Sequence, residues 1–107
     1  MHATINFLSA STLAAKIGSG DITSRQAVEA FFTHIRQHNG TFNAIATSHE
    51  AQALALADLA DQSRCEGKPC GPLHGVPITI KDTYRVAGSR TTAGYLPLKD
   101  YIPDTDI

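Results

Sequence analysis

Gly71-Pro72-Leu73-His74-Gly75-Val76-Pro77-Ile78-Thr79-Ile80-Lys81-Asp82 runs a glycine- and proline-rich loop into an apolar segment that ends on a lysine. The β-branched residues at 76 and 78–80 favour extended backbone. A period of two puts Val76, Ile78 and Ile80 on one face, with Pro77, Thr79 and Lys81 on the other. Val76 to Ile80 therefore reads as a strand, and Pro77 marks its beginning or an edge. In open α/β sheets the working residues collect just beyond the carboxyl ends of strands, which is where Lys81 and Asp82 fall. On this pattern alone Lys81 reads either as a lysine snorkelling at a strand end or as a candidate general base. A free lysine titrates at about 10.4, so that role needs burial or hydrogen bonding that favours the neutral amine, and a depression of about three units is within what burial can do. Asp82 beside it would act in the opposite sense, and it reads as structural, through a turn hydrogen bond or an electrostatic contact.

Upstream of this stretch the pattern is helical. Ser9 or Ser11 can cap a short helix carrying Leu13, Ala14 and Ile17, with Gly18 and Gly20 to stop it. Thr23 with Gln26 makes a capping box, Ile22 can staple against Ala27, and Val28, Phe31, Phe32 and Ile35 follow at helical spacing as core positions until Asn39-Gly40. Phe42 to Thr47 reads as a short strand, and Glu50 to about Arg64 as an alanine- and leucine-rich helix that buries Leu54 and Ala57. Residues 8–70 are thus mainly helical. Residues 71–107 form a strand-and-loop region carrying the lysine, with coil after Thr83 and a short helix near Leu96.

Composition narrows the partners. Hydrophobic content of 42% and charged content of 18% are ordinary for a globular protein, and nine Lys plus Arg against ten Asp plus Glu leave a net charge of -1. Neither sign forms a run, so direct nucleic-acid binding is not expected. No apolar run reaches the ~18 residues of a membrane span, and a secretory signal is not evident, so a cytoplasmic location is expected. Cys65 and Cys70, with four residues between them, match neither a redox pair nor half a zinc site and read as unpaired loop thiols. His34 and His38 have the i, i+4 spacing of a metal pair but lack the glutamate of a zinc protease motif, so they read as a polar helix face. No metal or cofactor is expected. His74 reads as a hydrogen-bonding residue.

The run Gly71 to Asp82, followed by Val86-Ala-Gly88 and Thr91-Thr-Ala-Gly94, closely resembles the amidase signature family. Members of that family commonly show a Gly-Pro-Leu-His-Gly-(Ile/Val)-Pro stretch, a Lys-Asp pair and a Thr-Thr-Ala-Gly loop in this order. The likeness extends upstream to Ser19-Gly-Asp-Ile-Thr-Ser24 and Phe42-Asn-Ala44, and covers about residues 8–106. It implies an α/β fold with a mixed central sheet flanked by helices, of which residues 1–107 would be the N-terminal segment of a single domain, incomplete in this chain. It also implies hydrolysis of a small carboxylic amide by a Ser, cis-Ser, Lys triad. Of that triad only the lysine maps here, onto Lys81. The serines of the family lie in a Gly-Ser-rich region further along, and Ser89 stands in the wrong context to replace either.

Thr91, Thr92 and Gly94 match a family loop that can approach the substrate, although hydroxyls making local turn bonds explain them as well. The segment by itself is expected to be inactive. Two readings stay open within the family: a stand-alone amidase, which the wording Lys81 to Gly88 favours and which leaves room for a homodimer, and the A subunit of the glutamyl-tRNA amidotransferase. A reading of another class is a non-catalytic helical interaction module.

Overall fold

A computed structural model describes residues 5–106. These divide into two compact units: one holds the residues up to Ala44 with His49–Pro77, the other Ile45–Ser48 with the residues from Ile78 onward. The unit boundary falls inside the glycine-rich stretch.

The first unit is helical. Helix α1 (Ala10–Ser19) starts at Ser9, whose Oγ accepts the Thr12 amide at 3.2 Å, and stops at Gly20, left-handed at φ 80. Gly18 lies within the helix, so Gly20 alone ends it. Helix α2 (Ser24–Phe42) begins with the expected capping box: the Gln26 amide donates to Thr23 Oγ1 (3.0 Å) and the Thr23 amide to Gln26 Oε1 (2.9 Å). The Ser24 and Arg25 amides donate to the two carboxylate oxygens of Asp61 at 2.7 and 3.0 Å. All four amides of Thr23 to Gln26, those that a helix start leaves without carbonyl partners, are thus satisfied. Helix α3 (Glu50–Cys65) supplies Asp61 and packs on α2.

Buried Ile5, Leu13, Ile17, Ala27 and Ala30 form the core, with Leu8, Ile22, Phe31 and Val76 packed against it. Ile22 packs against the cluster that contains Ala27. The alanines at 27 and 30 are wholly buried, and their small side chains permit close approach of α2 to its neighbours. Phe31, Phe32, Ile35 and Leu54 are half-buried and Ala57 is buried.

Three expectations change. Asn39-Gly40 does not end α2, which continues to Phe42 and is stopped by Asn43 in the left-handed region (φ 51, ψ 40), its amide bonded to the Asn39 carbonyl at 2.6 Å. Asparagine tolerates that conformation and makes a helix stop, so the helix overruns the first residue of the strand expected at 42–47. Among the described residues none is in a strand, at 42–47 or at 76–80. A strand exists only as a partner in a ladder, and β-branched composition without one leaves irregular backbone. Cys65 is the last residue of α3 rather than a loop position; both thiols are free and exposed.

The second unit is a set of turns. The Thr91 amide donates to the Tyr101 carbonyl and the Gly88 amide to the Pro103 carbonyl, both at 2.9 Å, while a single 3-10 turn (Leu96–Leu98) stands where a short helix is expected. Thr91 and Pro103 are buried.

Candidate functional site

The glycine-rich half of the stretch belongs to the first unit and is anchored there by hydrogen bonds to two of the helices. The buried Ser24 Oγ donates to the Gly75 carbonyl at 2.6 Å. Gly75 has φ +81, and a β-carbon there would lie 3.1 Å from Ile17 Cγ2 and from Ser24 Cβ. Glycine is required on both counts, backbone conformation and space. His74 Nε2 lies 2.9 Å from the Ala60 carbonyl of α3, the hydrogen-bonding role the sequence suggests. Ser24 ends the upstream run that resembles the family, but nothing in the sequence gives it or Asp61 a partner: a serine opening a helix and an acid within a charged helix are both ordinary, and only tertiary pairing shows what they do.

Lys81 lies in the second unit with its side chain exposed, and its carbonyl accepts the Tyr84 amide at 3.0 Å. Asp82 turns to the Thr-Thr-Ala-Gly segment. Its Oδ1 accepts the Thr92 amide at 3.0 Å, its Oδ2 accepts a short bond from Thr92 Oγ1, and its main-chain carbonyl accepts the Ala93 amide at 3.0 Å. Donation from Thr92 hydroxyl and amide holds the Asp82 carboxyl below the ordinary carboxylate range, against a smaller opposing effect of burial and with help from the Arg90 charge. A turn hydrogen bond for Asp82 is what the sequence leads one to expect. Its partner ten residues on is not legible there.

The three residues of the expected binding loop sort differently. Thr91 is buried, its Oγ1 donating to the Ser89 carbonyl at 3.2 Å. Thr92 Oγ1 donates to Asp82 and accepts the Gly94 amide at 3.3 Å. Gly94 has φ +67 with open space around it. Both threonine hydroxyls are engaged in local bonds, and Asp82 gathers Thr92 and Ala93 beside Lys81.

The His34 and His38 rings meet at a tilt of 52° with centroids 4.5 Å apart, and Phe7 meets His34 edge-on at 6.2 Å. Among the described residues no group of three or more His, Cys, Asp or Glu could hold a metal ion, and no helix is long and apolar enough to cross a membrane.

In the first unit the glycine-bearing loop is fastened to the helical body, and in the second the acidic neighbour of Lys81 clamps a threonine turn. The amidase family model matches residues 26–107, which include the glycine-rich stretch, Lys81-Asp82 and the threonine turn, and this chain belongs to that family. Among curated relatives, the A subunit of glutamyl-tRNA(Gln) amidotransferase from Renibacterium salmoninarum is 40% identical over 99 residues, 92% of this chain and 19% of its own length. Indoleacetamide hydrolase of Bradyrhizobium diazoefficiens is 40% identical over 98 residues, again 92% and 19%. Among solved structures, a fatty acid amide hydrolase superposes with TM-score 0.89 at 29% identity, covering 98% of this chain and 19% of that one. A chain of a vestigial protein complex bearing on the origins of an s-triazine catabolic enzyme gives 0.87 at 26%, covering 92% and 22%. This chain spans about a fifth of the length of the relatives it matches.

Proposed function

We propose that this chain is the N-terminal segment of one amidase signature domain, in an enzyme that cleaves the carbon–nitrogen bond of a small carboxylic amide through an acyl-enzyme, with Lys81 as general base. The observation that carries the reading is the family match across 26–107, because it takes in Lys81-Asp82 and Thr91–Gly94 together. In the reaction the neutral Lys81 amine takes a proton from a bridging serine, which takes one from the nucleophilic serine as the latter attacks the amide carbon. The amine leaves with a proton returned along the same path, and water then releases the acyl group. Both serines belong to the longer protein of this reading. Thr91, Thr92 and Gly94 belong to it as a substrate-side loop, acting through backbone shape because the two threonine hydroxyls are engaged.

The sheet belongs to the proposal as well. Ile78 and Ile80, alternate residues of one apolar face, are 73% and 53% exposed, which favours a further layer packing over 76–80 in the whole enzyme. The free thiols suit a reducing, cytoplasmic setting, and a homodimer is compatible with the reading. The test is the full-length protein with and without Lys81→Ala, assayed for release of amine from a panel of simple amides. Loss of hydrolysis on substitution, with no activity from the 107-residue chain, is expected. Full hydrolysis by the Lys81→Ala protein would sink the assignment.

The 40% identity to the glutamyl-tRNA(Gln) amidotransferase chain, equalled by the indoleacetamide hydrolase, is compatible with a second reading, the A subunit of such an enzyme, which releases ammonia for transfer to charged tRNA. Glutamine-dependent transfer that occurs only when partner subunits are added would select it.

A further inference from the structure

We propose that Asp82 is a positioning residue for the reaction, the group that fixes the Thr92–Gly94 turn to the backbone next to Lys81 so that lysine and turn move as one. This rests on the reading of Lys81 as base. Asp82 gives three acceptors to two consecutive residues, Oδ1 and Oδ2 to Thr92 and its carbonyl to Ala93. The turn so held contains Ala93 at φ 52, a left-handed conformation that its β-carbon disfavours. Such a conformation persists where the surroundings over-determine it. Packing does not supply that constraint at the end of the turn, since a β-carbon built on Gly94 meets nothing within 4 Å. The hydrogen bonds do. Thr92 Oγ1, aimed at Asp82, also receives the Gly94 amide at 3.3 Å, and the Thr92 carbonyl receives the Tyr95 amide at 2.8 Å, so the carboxylate sits at the head of a linked set of bonds.

Consecutive Cα atoms are only about 3.8 Å apart, so anything that displaces the turn pulls directly on the lysine's own backbone. A misplacement of about 1 Å in a catalytic group can cost about a hundredfold in rate. Asp82 thereby serves catalysis without touching substrate, and neither carboxylate oxygen is needed in a proton transfer.

The test uses the full-length protein. Asp82→Ala should lower kcat by about a hundredfold with KM little changed, and Thr92→Val, which keeps the amide and loses the hydroxyl, should lower it less. If the two residues act through one connection, the double variant should be no slower than Asp82→Ala alone. Asp82→Ala should also speed hydrogen exchange of the Thr92 and Ala93 amides at least about tenfold, while Lys81→Ala leaves them unchanged. Additive losses of kcat, or unchanged exchange, would overturn the proposal. Should Asp82→Ala fail to fold, Asp82→Asn combined with Thr92→Val gives a milder form of the cycle with a smaller loss, because the amide offers one acceptor oxygen where the carboxylate offers two. A full rate in the Lys81→Ala protein defeats the base assignment itself, whereas an inactive Lys81→Ala beside a fully active Asp82→Ala defeats only the positioning role.

Discussion

Replacing Gly75 by alanine tests the packing of the glycine-rich loop on the helices. The left-handed φ of +81 costs an L-residue about 1–2 kcal/mol. Stiffening of the unfolded chain returns about 0.4–1 kcal/mol of that. The new methyl group would stand 3.1 Å from Ile17 Cγ2 and Ser24 Cβ and 3.2 Å from Ser24 Oγ. Ile17 and Ser24 are almost completely buried and have little room to move, so overpacking adds about 1–3 kcal/mol. The total is a destabilisation of about 1–5 kcal/mol, which reaches into the upper part of the range for single substitutions. Gly67→Ala is the matched control: its φ is +72 but a β-carbon there meets nothing within 4 Å, so only the backbone cost applies. Urea unfolding of both variants, followed by helical circular dichroism, should show Gly75→Ala weaker than Gly67→Ala by about 1–3 kcal/mol. Equal losses would mean that the loop is not seated against Ile17 and Ser24, and the account of why glycine stands at 75 would fail.

Two further outcomes are expected. Asp61→Ala strips the partners from the Ser24 and Arg25 amides and should cost about 1–2 kcal/mol in the same urea assay, with Asp61→Asn recovering part of it; no loss would mean that water replaces the carboxylate without penalty. Acid should release the Thr92 turn late. Because the folded Asp82 carboxyl titrates below its unfolded value of about 3.9, its stabilisation is complete above that value and is lost as pH falls through the lower folded one. The Thr92 amide resonance should therefore hold its bonded position from neutrality down to about pH 4 and move only below it. A shift beginning well above pH 4 would contradict the Asp82–Thr92 bond.

What is legible in the sequence is local. The capping box at Thr23 and Gln26, the glycine stop at Gly20 and the extent of α3 each depend on residues within a turn of one another, and all are present. Phe42 reads as strand rather than helix because an αL asparagine three residues past Asn39-Gly40 is as good a stop as a glycine, and nothing local ranks the two. The apolar run at 76–80 satisfies a strand pattern, yet a strand needs a partner backbone that no pattern within the run can specify. At the candidate site Lys81 and the Thr-Thr-Ala-Gly segment are legible as motifs. The bonds joining Asp82 to Thr92, and Ser24 to Gly75, span ten and 51 residues, distances over which side-chain chemistry alone names no partner.

Asp61 joins the first turn of α2 to a residue 36 and 37 positions further along the chain. Starting a helix is the costly step of making one, and here the donors at that start are completed only when a distant segment has come back to meet them. The middle of α2 can form early from its own propensity, whereas its beginning waits for α3. The first turn of α2 is therefore secured only together with α3, and damage at one carboxylate in α3 is felt as fraying of the α2 turn it contacts.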